Sequence, residues 1–143
     1  MKPLIYLGSP YTHADNKIRK KRAEIVSKAA MYFIENGVMV YCPIAESIEL
    51  AKHSTFTNTT WEFWREKDLT ILNLCKELYI CSIDGWKDSI GLRAEIKYAI
   101  KNDIKISLVV LNETTQEVEA IMKLSRKDVL ALLNLEDENQ LND

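Results

Sequence analysis

Short unbroken apolar runs take turns along this chain with longer stretches whose apolar residues recur at helical spacing. Residues 3–7 are the first run, closed by Gly8-Ser9-Pro10, and predict a strand covered on both faces. A polar loop follows, and Asp15 or Asn16 caps a long helix that should reach Asn36 and stop at Gly37. Its apolar stripe is Ile18, Ile25, Val26, Ala29, Tyr32 and Phe33. Residues 38–42 predict the second strand, ended by Pro43, and residues 44–52 a short helix with Glu46 and Glu49 on its polar side. The polar stretch 53–60 is expected to be a loop placed to close over a site, and Thr60 to cap the next helix. That helix carries the stripe Trp61, Trp64, Ile71, Leu72 and Cys75. Leu78, Tyr79, Ile80 and Cys81 form the third strand, Gly85 breaks it, and Asp88 or Ser89 caps a helix beginning near Ile90. Its apolar arc is Leu92, Ile96, Ala99 and Ile100. Residues 104–111 predict the fourth strand. Beyond it the pattern suggests a helical extension over 113–135: a weak helix over 113–124, then one whose start, Ser125 to Asp128, resembles a capping box. Residues 136–143 read as a frayed acidic tail.

Strands alternating with helices indicate a single α/β domain with a mostly parallel sheet and helices on both faces. In such sheets ligands bind beyond the carboxyl ends of the strands, where residues 8–13, 43–46 and 82–91 should collect. At 143 residues, 47% apolar and 28% charged, the composition is that of an ordinary soluble domain. A net charge of -2 argues against binding a nucleic-acid polymer. No apolar run approaches the roughly 20 residues of a membrane span, so no membrane partner and a cytoplasmic location are expected. Cys42, Cys75 and Cys81 lie in or beside apolar segments without paired spacing, as reduced buried thiols do. With His13 and His53 far apart and no paired ligand motif, neither a metal nor any other cofactor is expected.

Two acids break the pattern. Glu95 sits at the edge of its helix's apolar arc, and its neighbours at three and four residues, Gly91, Leu92, Tyr98 and Ala99, offer no cation. Asp68 sits inside an apolar stripe, four residues after Trp64 and three before Ile71. A carboxylate so placed is partnered, raised in pKa or open to a cleft. The plain alternative is a satisfied buried acid, Asp68 accepting from Arg65 or a loop backbone and Glu95 bridging to Tyr6 or Arg22. Arg22, in the basic run Lys17–Arg22, lies within its own helix's apolar stripe near a helix N-terminus, where cations are disfavoured, which makes it a phosphate candidate; the plain alternatives are a solvated surface for the run and burial of the aliphatic stem for Arg22. Trp61, Trp64 and Trp86 are candidates to stack on a base, or core residues.

These residues resemble the nucleoside 2-deoxyribosyltransferase-like superfamily, and within it an uncharacterised branch with similar SPYTH and W-x-x-S-x-G-x-x-x-E segments. The resemblance rests on YLGSPYT, on the Asp in WREKDLTILNLC and on DGWKDSIGLRAEIKYAIKNDIKI, in that order, and spans about residues 3–111. It implies a three-layer, Rossmann-like (flavodoxin-like) domain with four to five strands that cleaves or transfers at the N-glycosidic bond of a (deoxy)nucleoside or its 5′-monophosphate. By this resemblance Glu95 is the nucleophile and Asp68 its acidic partner. Tyr6 or Tyr11 is the tyrosine of the first strand's end, and Asp88, Ser89 and Gly91 hold the sugar or a 5′-phosphate. Gly8, Ser9, Pro10, Asp84, Gly85 and Trp86 belong to the flanking substrate loops. The opening Gly8-Ser9-Pro10-Tyr11 departs from the superfamily's small-residue and Gly pattern before an aromatic, on the base-recognition side. The chemistry expects an ionised Glu95 to trap an oxocarbenium-like sugar while a protonated Asp68 donates to the departing base. The alternatives are a non-catalytic nucleotide-binding module and an N-glycosidase acting on nicotinamide dinucleotides. A homo-oligomer is expected from the superfamily's habits.

Overall fold

The computed structural model describes residues 1–56 and 59–141. Five strands form one sheet in the order β2-β1-β3-β4-β5. β1 (Ile5–Gly8), β2 (Val40–Tyr41), β3 (Glu77–Cys81) and β4 (Lys105–Leu111) are parallel, and β5 (Val118–Leu124) lies antiparallel on β4. Helices cover both faces, so the domain is the three-layer α/β arrangement of Rossmann-like, flavodoxin-like sheets that the alternation of patterns predicts.

One face belongs to α1 (Asn16–Glu35). Asp15 caps it by accepting from the Lys17 amide at 2.8 Å, and Gly37, at φ +83°, ends it. Its buried Ile25, Val26, Ala29, Ala30 and Phe33 pack on Ile5, Leu7, Tyr79, Cys81 and Val109. Tyr32, expected in that stripe, points outward instead. α2 (Pro43–Ala51) follows β2 at the sheet's edge. The opposite face carries α3 (Trp61–Leu74), α4 (Ile90–Lys101) and α5 (Arg126–Leu132), whose Leu72, Leu92, Ile96, Ala99, Val129 and Leu133 close over Tyr6, Leu78, Ile80 and Leu108. Side chains alternate across a strand, so Tyr6 and Gly8 both point to this second face. Thr60 occupies the cap position of α3 with extended backbone but forms no side-chain cap bond.

Two expectations for the C-terminal third are corrected. Residues 113–124 are not a helix. The Asn112 side chain accepts the amides of Thr114 and Thr115 at 2.8 and 2.9 Å, Gln116 adopts φ +62°, and the chain turns back as β5. Pairing from Ile106–Leu124 to Leu111–Val118 satisfies the edge of β4, which outweighs a weak helical periodicity. The extension is therefore a hairpin strand followed by α5, whose Ser125/Asp128 capping box is present. Nor is the tail frayed as far as Leu141: Asp137 caps a 3₁₀ turn at Glu138–Gln140, Arg126 pairs with Glu138, and Leu141 is wholly buried in the core. The rest of that predicted tail, Asn142 and Asp143, lies outside the described residues, as do Thr57 and Asn58 of the loop expected over 53–60.

Because Leu141 is fully buried, Leu141→Ala should destabilise the domain by about 2–4 kcal/mol, read as a lower urea midpoint with an unchanged slope. A frayed end would show no change.

Candidate active site

The carboxyl ends of β1 and β2 and the N-terminus of α4 converge on a cleft of about 190 Å³. Its floor is Ser9, Leu92 and Glu95; Pro43, Ile44 and Ile48 of α2 form one wall, and Trp61, Trp64 and Asp68 of α3 the other. The Ser89 hydroxyl accepts from the Leu92 amide at 3.3 Å, which fixes the start of α4 and hence the phase that turns Glu95 inward. Glu95 is 4% exposed and sits against Gly8. A β-carbon on Gly8 would lie 2.9 Å from Leu92 Cδ1 and 3.2 Å from Glu95 Oε1, so Gly8 makes room for the acid instead of touching a ligand.

The phenol of Tyr6 donates to Glu95 Oε2. Burial and the adjacent negative charge hold the Tyr6 hydroxyl well above its ordinary pKa, so it stays a donor. Burial pushes the Glu95 carboxyl up to about 8, with the Tyr6 bond working in the opposite direction and Asp68 adding to the rise. Burial likewise raises Asp68 to about 6, while Lys67 pulls it down. Both acids of the cleft are thus raised above the ordinary carboxylate range, chiefly by burial. Asp68 Oδ1, Ser9 Oγ and Trp61 Nε1 are buried with no hydrogen-bond partner among the described residues, and all three residues line this cleft. Buried polar atoms are nearly always paired, so three orphans in one cleft mark where a ligand's polar groups belong.

The predicted site residues divide into two neighbouring clefts. Ser9, Tyr11, Ser89 and Gly91 join Asp68 and Glu95 in the first. Arg22, Asp84, Gly85, Asp88 and again Ser89 line a second cleft of about 730 Å³, which shares Thr12 and Ser89 with the first. Arg22 does not pair with Glu95; it donates to the carbonyls of Thr12 at 3.0 Å and Asp84 at 3.3 Å. It packs on Gly85, whose φ of +90° disfavours any residue with a β-carbon there. Pro10 is buried and lines neither cleft. Trp86 is a core residue, not a stacking surface, because its indole closes the second face beside Leu92 and Ile96. Trp61 and Trp64 do line the first cleft, and Trp61 lies over Gly91, where a β-carbon would come within 3.2 Å of its ring. Among the described residues no group of His, Cys, Asp and Glu is placed to hold a metal ion, and no helix is long and apolar enough to cross a membrane.

A family model described as a domain of unknown function, DUF1937, matches residues 3–111. The chain belongs to this family. Its span carries Tyr6, Asp68 and Glu95, while β5 and α5 lie beyond it. No protein of curated function matches the chain.

Two features of the DUF1937 site escaped the sequence analysis. The first is the apolar wall of α2: Ile44, Ile48 and Ala51 recur at helical spacing, a signal present in the sequence but assigned no role. The second is a network behind Asp68. Lys67 Nζ lies 2.7 Å from Glu46 Oε1 and donates to the Tyr41 hydroxyl at 2.9 Å, and that hydroxyl donates to Glu46 Oε2 at 2.7 Å. Its members come from β2, α2 and α3, so no sequence spacing announces it.

An acid whose folded pKa is raised binds its proton more tightly in the native state, so the native state loses stability as pH rises from the unfolded value toward the folded one. Glu95→Gln removes that loss. Its melting temperature relative to wild type should be several degrees more favourable at pH 8 than at pH 5, checked by thermal unfolding at both values.

Proposed function

We propose that this cleft breaks the N-glycosidic bond of a (deoxy)nucleoside or its 5′-monophosphate, with Glu95 as nucleophile and Asp68 as acid to the departing base. The observation that carries this reading is the pair of buried carboxylates, 4% and 6% exposed, sharing one cleft where, among the described residues, no cation bonds to Glu95 and Asp68 Oδ1 has no partner. A structural ion pair would have a partner; a reacting pair keeps its lone pairs for substrate. The resemblance to nucleoside 2-deoxyribosyltransferase-like proteins supports the same assignment.

In the reaction the bond between C1′ and the base nitrogen breaks as a Glu95 oxygen bonds to C1′, and the proton held by Asp68 passes to the base. Water or a second base then attacks C1′, frees Glu95 and returns a proton to Asp68. The resting order of the two acids is the reverse of what the sequence suggests, since Glu95 at about 8 holds the shared proton more tightly than Asp68 at about 6. Positive charge developing at C1′ and the Tyr6 hydrogen bond both favour ionised Glu95, so the proton moves to Asp68 as the sugar–base bond loosens. The apolar wall of α2 and the indoles of Trp61 and Trp64 suit a flat base. The first turn of α4, at Ser89 and Gly91, presents amides to the sugar's 5′ side, and the second cleft with Arg22 continues from there.

A second reading, a nucleotide-binding module without turnover, draws on one observation: a protonated Glu95 at rest is a hydrogen-bond donor rather than a nucleophile. Incubation with nucleosides, deoxynucleosides, their 5′-monophosphates and NAD, followed by chromatography for free base, separates the two. Wild type should release base from at least one class, and Glu95→Gln should lower the rate by on the order of 10³-fold or more. Release by neither, with or without an acceptor base, would leave the binding module. Asp68→Asn should slow poor leaving groups most; equal loss across leaving groups would remove Asp68 as the acid.

The pH profile follows from the shared proton. Below about 6 both acids are protonated and no nucleophile remains; above about 8 both are ionised and no proton remains for the base. kcat/KM should be bell-shaped with limbs near those values.

A further inference from the structure

The two clefts lie on opposite faces of the sheet at its carboxyl edge. β1 runs into α1 on one face and β3 into α4 on the other, so the loops after these neighbouring strands diverge. The crevice between such loops is where a doubly wound sheet takes a ligand across its edge. Thr12 of the first loop and Ser89 of the second border both clefts. Arg22 spans the divergence, donating to the carbonyl of Thr12 on one side and of Asp84 on the other. Those bonds use two of its five N–H donors, and its Nε is buried with no hydrogen-bond partner among the described residues. A guanidinium held across a crevice with donors to spare suits a phosphate or pyrophosphate.

The second cleft has room for more than that group. At about 730 Å³ against about 190 Å³ for the first, it lies within the range of roughly 300–1,000 Å³ that takes a whole small molecule. Its apolar lining is Ile18, Ile25 and Ile83, a surface that grips a flat ring without choosing among bases. Asp84 and Asp88 from the loop after β3, and Glu113 from the tip of the β4–β5 hairpin, supply carboxylates. These accept hydrogen bonds from sugar hydroxyls and repel further phosphates, which disfavours a triphosphate tail and favours a second sugar.

On the reading that Glu95 and Asp68 act at C1′ in the first cleft, we propose that the molecule spanning both clefts is a dinucleotide, two nucleosides joined through a pyrophosphate. One nucleoside enters the first cleft and loses its base, Arg22 takes the pyrophosphate, and the second nucleoside fills the second cleft with its base on the isoleucines. The hairpin tip at Glu113, Thr114 and Gln116, beyond residues 3–111, serves the same ligand.

Isothermal titration calorimetry of the full chain with ADP-ribose, ribose 5-phosphate, ADP and ATP tests this without turnover, because ADP-ribose is what remains of such a dinucleotide once its first base has left. ADP-ribose should bind roughly tenfold or more tighter than ribose 5-phosphate or ADP, each of which reaches only one cleft and the crevice. Ile18→Glu puts a carboxylate on the apolar lining at the third position of α1, where Glu completes a capping box with Asp15, so the fold tolerates it. It should shrink the lead of ADP-ribose over ribose 5-phosphate by roughly tenfold or more, with a melting temperature matching wild type. No binding of ADP-ribose at millimolar concentration would overturn the proposal. So would ADP-ribose binding no tighter than ribose 5-phosphate, ADP or ATP, or a lead indifferent to Ile18→Glu. Base release separates this from the reading on which it rests: kcat/KM for NAD should exceed that for nucleoside 5′-monophosphates by roughly tenfold or more. Monophosphates cleaved as well as NAD would overturn the dinucleotide and keep the N-glycosidase. The expected ADP-ribose binding without release from any substrate would remove the chemistry and keep the dinucleotide as ligand.

Discussion

A carboxylate taken out of water without a cation beside it costs several kcal/mol unless it keeps its proton or gains strong hydrogen bonds, and Glu95 is in that position with the phenol of Tyr6 as its donor. Much of the architecture can be understood as what holds this pair. The pleat of β1 turns Tyr6 and Gly8 to the same face; one supplies the donor and the other, lacking a β-carbon, the space. Ser89 sets where α4 begins and so which residue of that helix meets Gly8. Leu92 and Ile96 pack α4 onto the sheet beside Leu78 and Ile80, so the acid cannot swing out without opening the core.

Asp68 reaches the same cleft from α3, and its surroundings differ in kind. Lys67, neutralised in turn by Glu46 and bridged through Tyr41, lies on the helix next to Asp68 and draws its pKa down, while Glu95 has only a neutral phenol. Two carboxyls of the same chemistry are thereby held at different proton affinities, the condition for dividing acid and nucleophile roles between them. The Tyr41 ring stands 6.1 Å from that of Tyr6, so the two hydroxyl networks adjoin across the strands of the sheet's edge.

The elements that hold the site were legible in the sequence because they are written in local terms. Apolar runs of strand length, the Asp15 and Ser89 caps and the Ser125/Asp128 capping box depend on near neighbours, and each is present. Asp68 and Glu95 stood out as acids on apolar helix faces, and both are buried in one cleft. What could not be read depends on partners distant along the chain. β5 exists because β4 offers an edge, a fact absent from residues 118–124 themselves, and Leu141 is held by a core drawn from β1, β3, β4, α3, α4 and α5. The Lys67–Glu46–Tyr41 network joins three elements, and the choice for Trp86 between stacking surface and core stayed open because an aromatic beside a loop Gly has the same local signature in both. Burial depth also separates the two acids in a way no local pattern shows: Glu95 is the deeper of the two and Asp68 has Lys67 beside it, so burial raises Glu95 further than Asp68.

The central claim is that Glu95 and Asp68 share one proton at neutral pH with Glu95 as the tighter holder. Carbon-13 NMR of protein labelled at its Glu and Asp carboxyls measures this directly, with each resonance assigned by its loss in Glu95→Gln and Asp68→Asn. The account predicts a Glu95 midpoint near 8 and an Asp68 midpoint near 6. Both carboxyls titrating in the ordinary range near 4 would contradict it, because the cleft would then hold two charges and no proton to give.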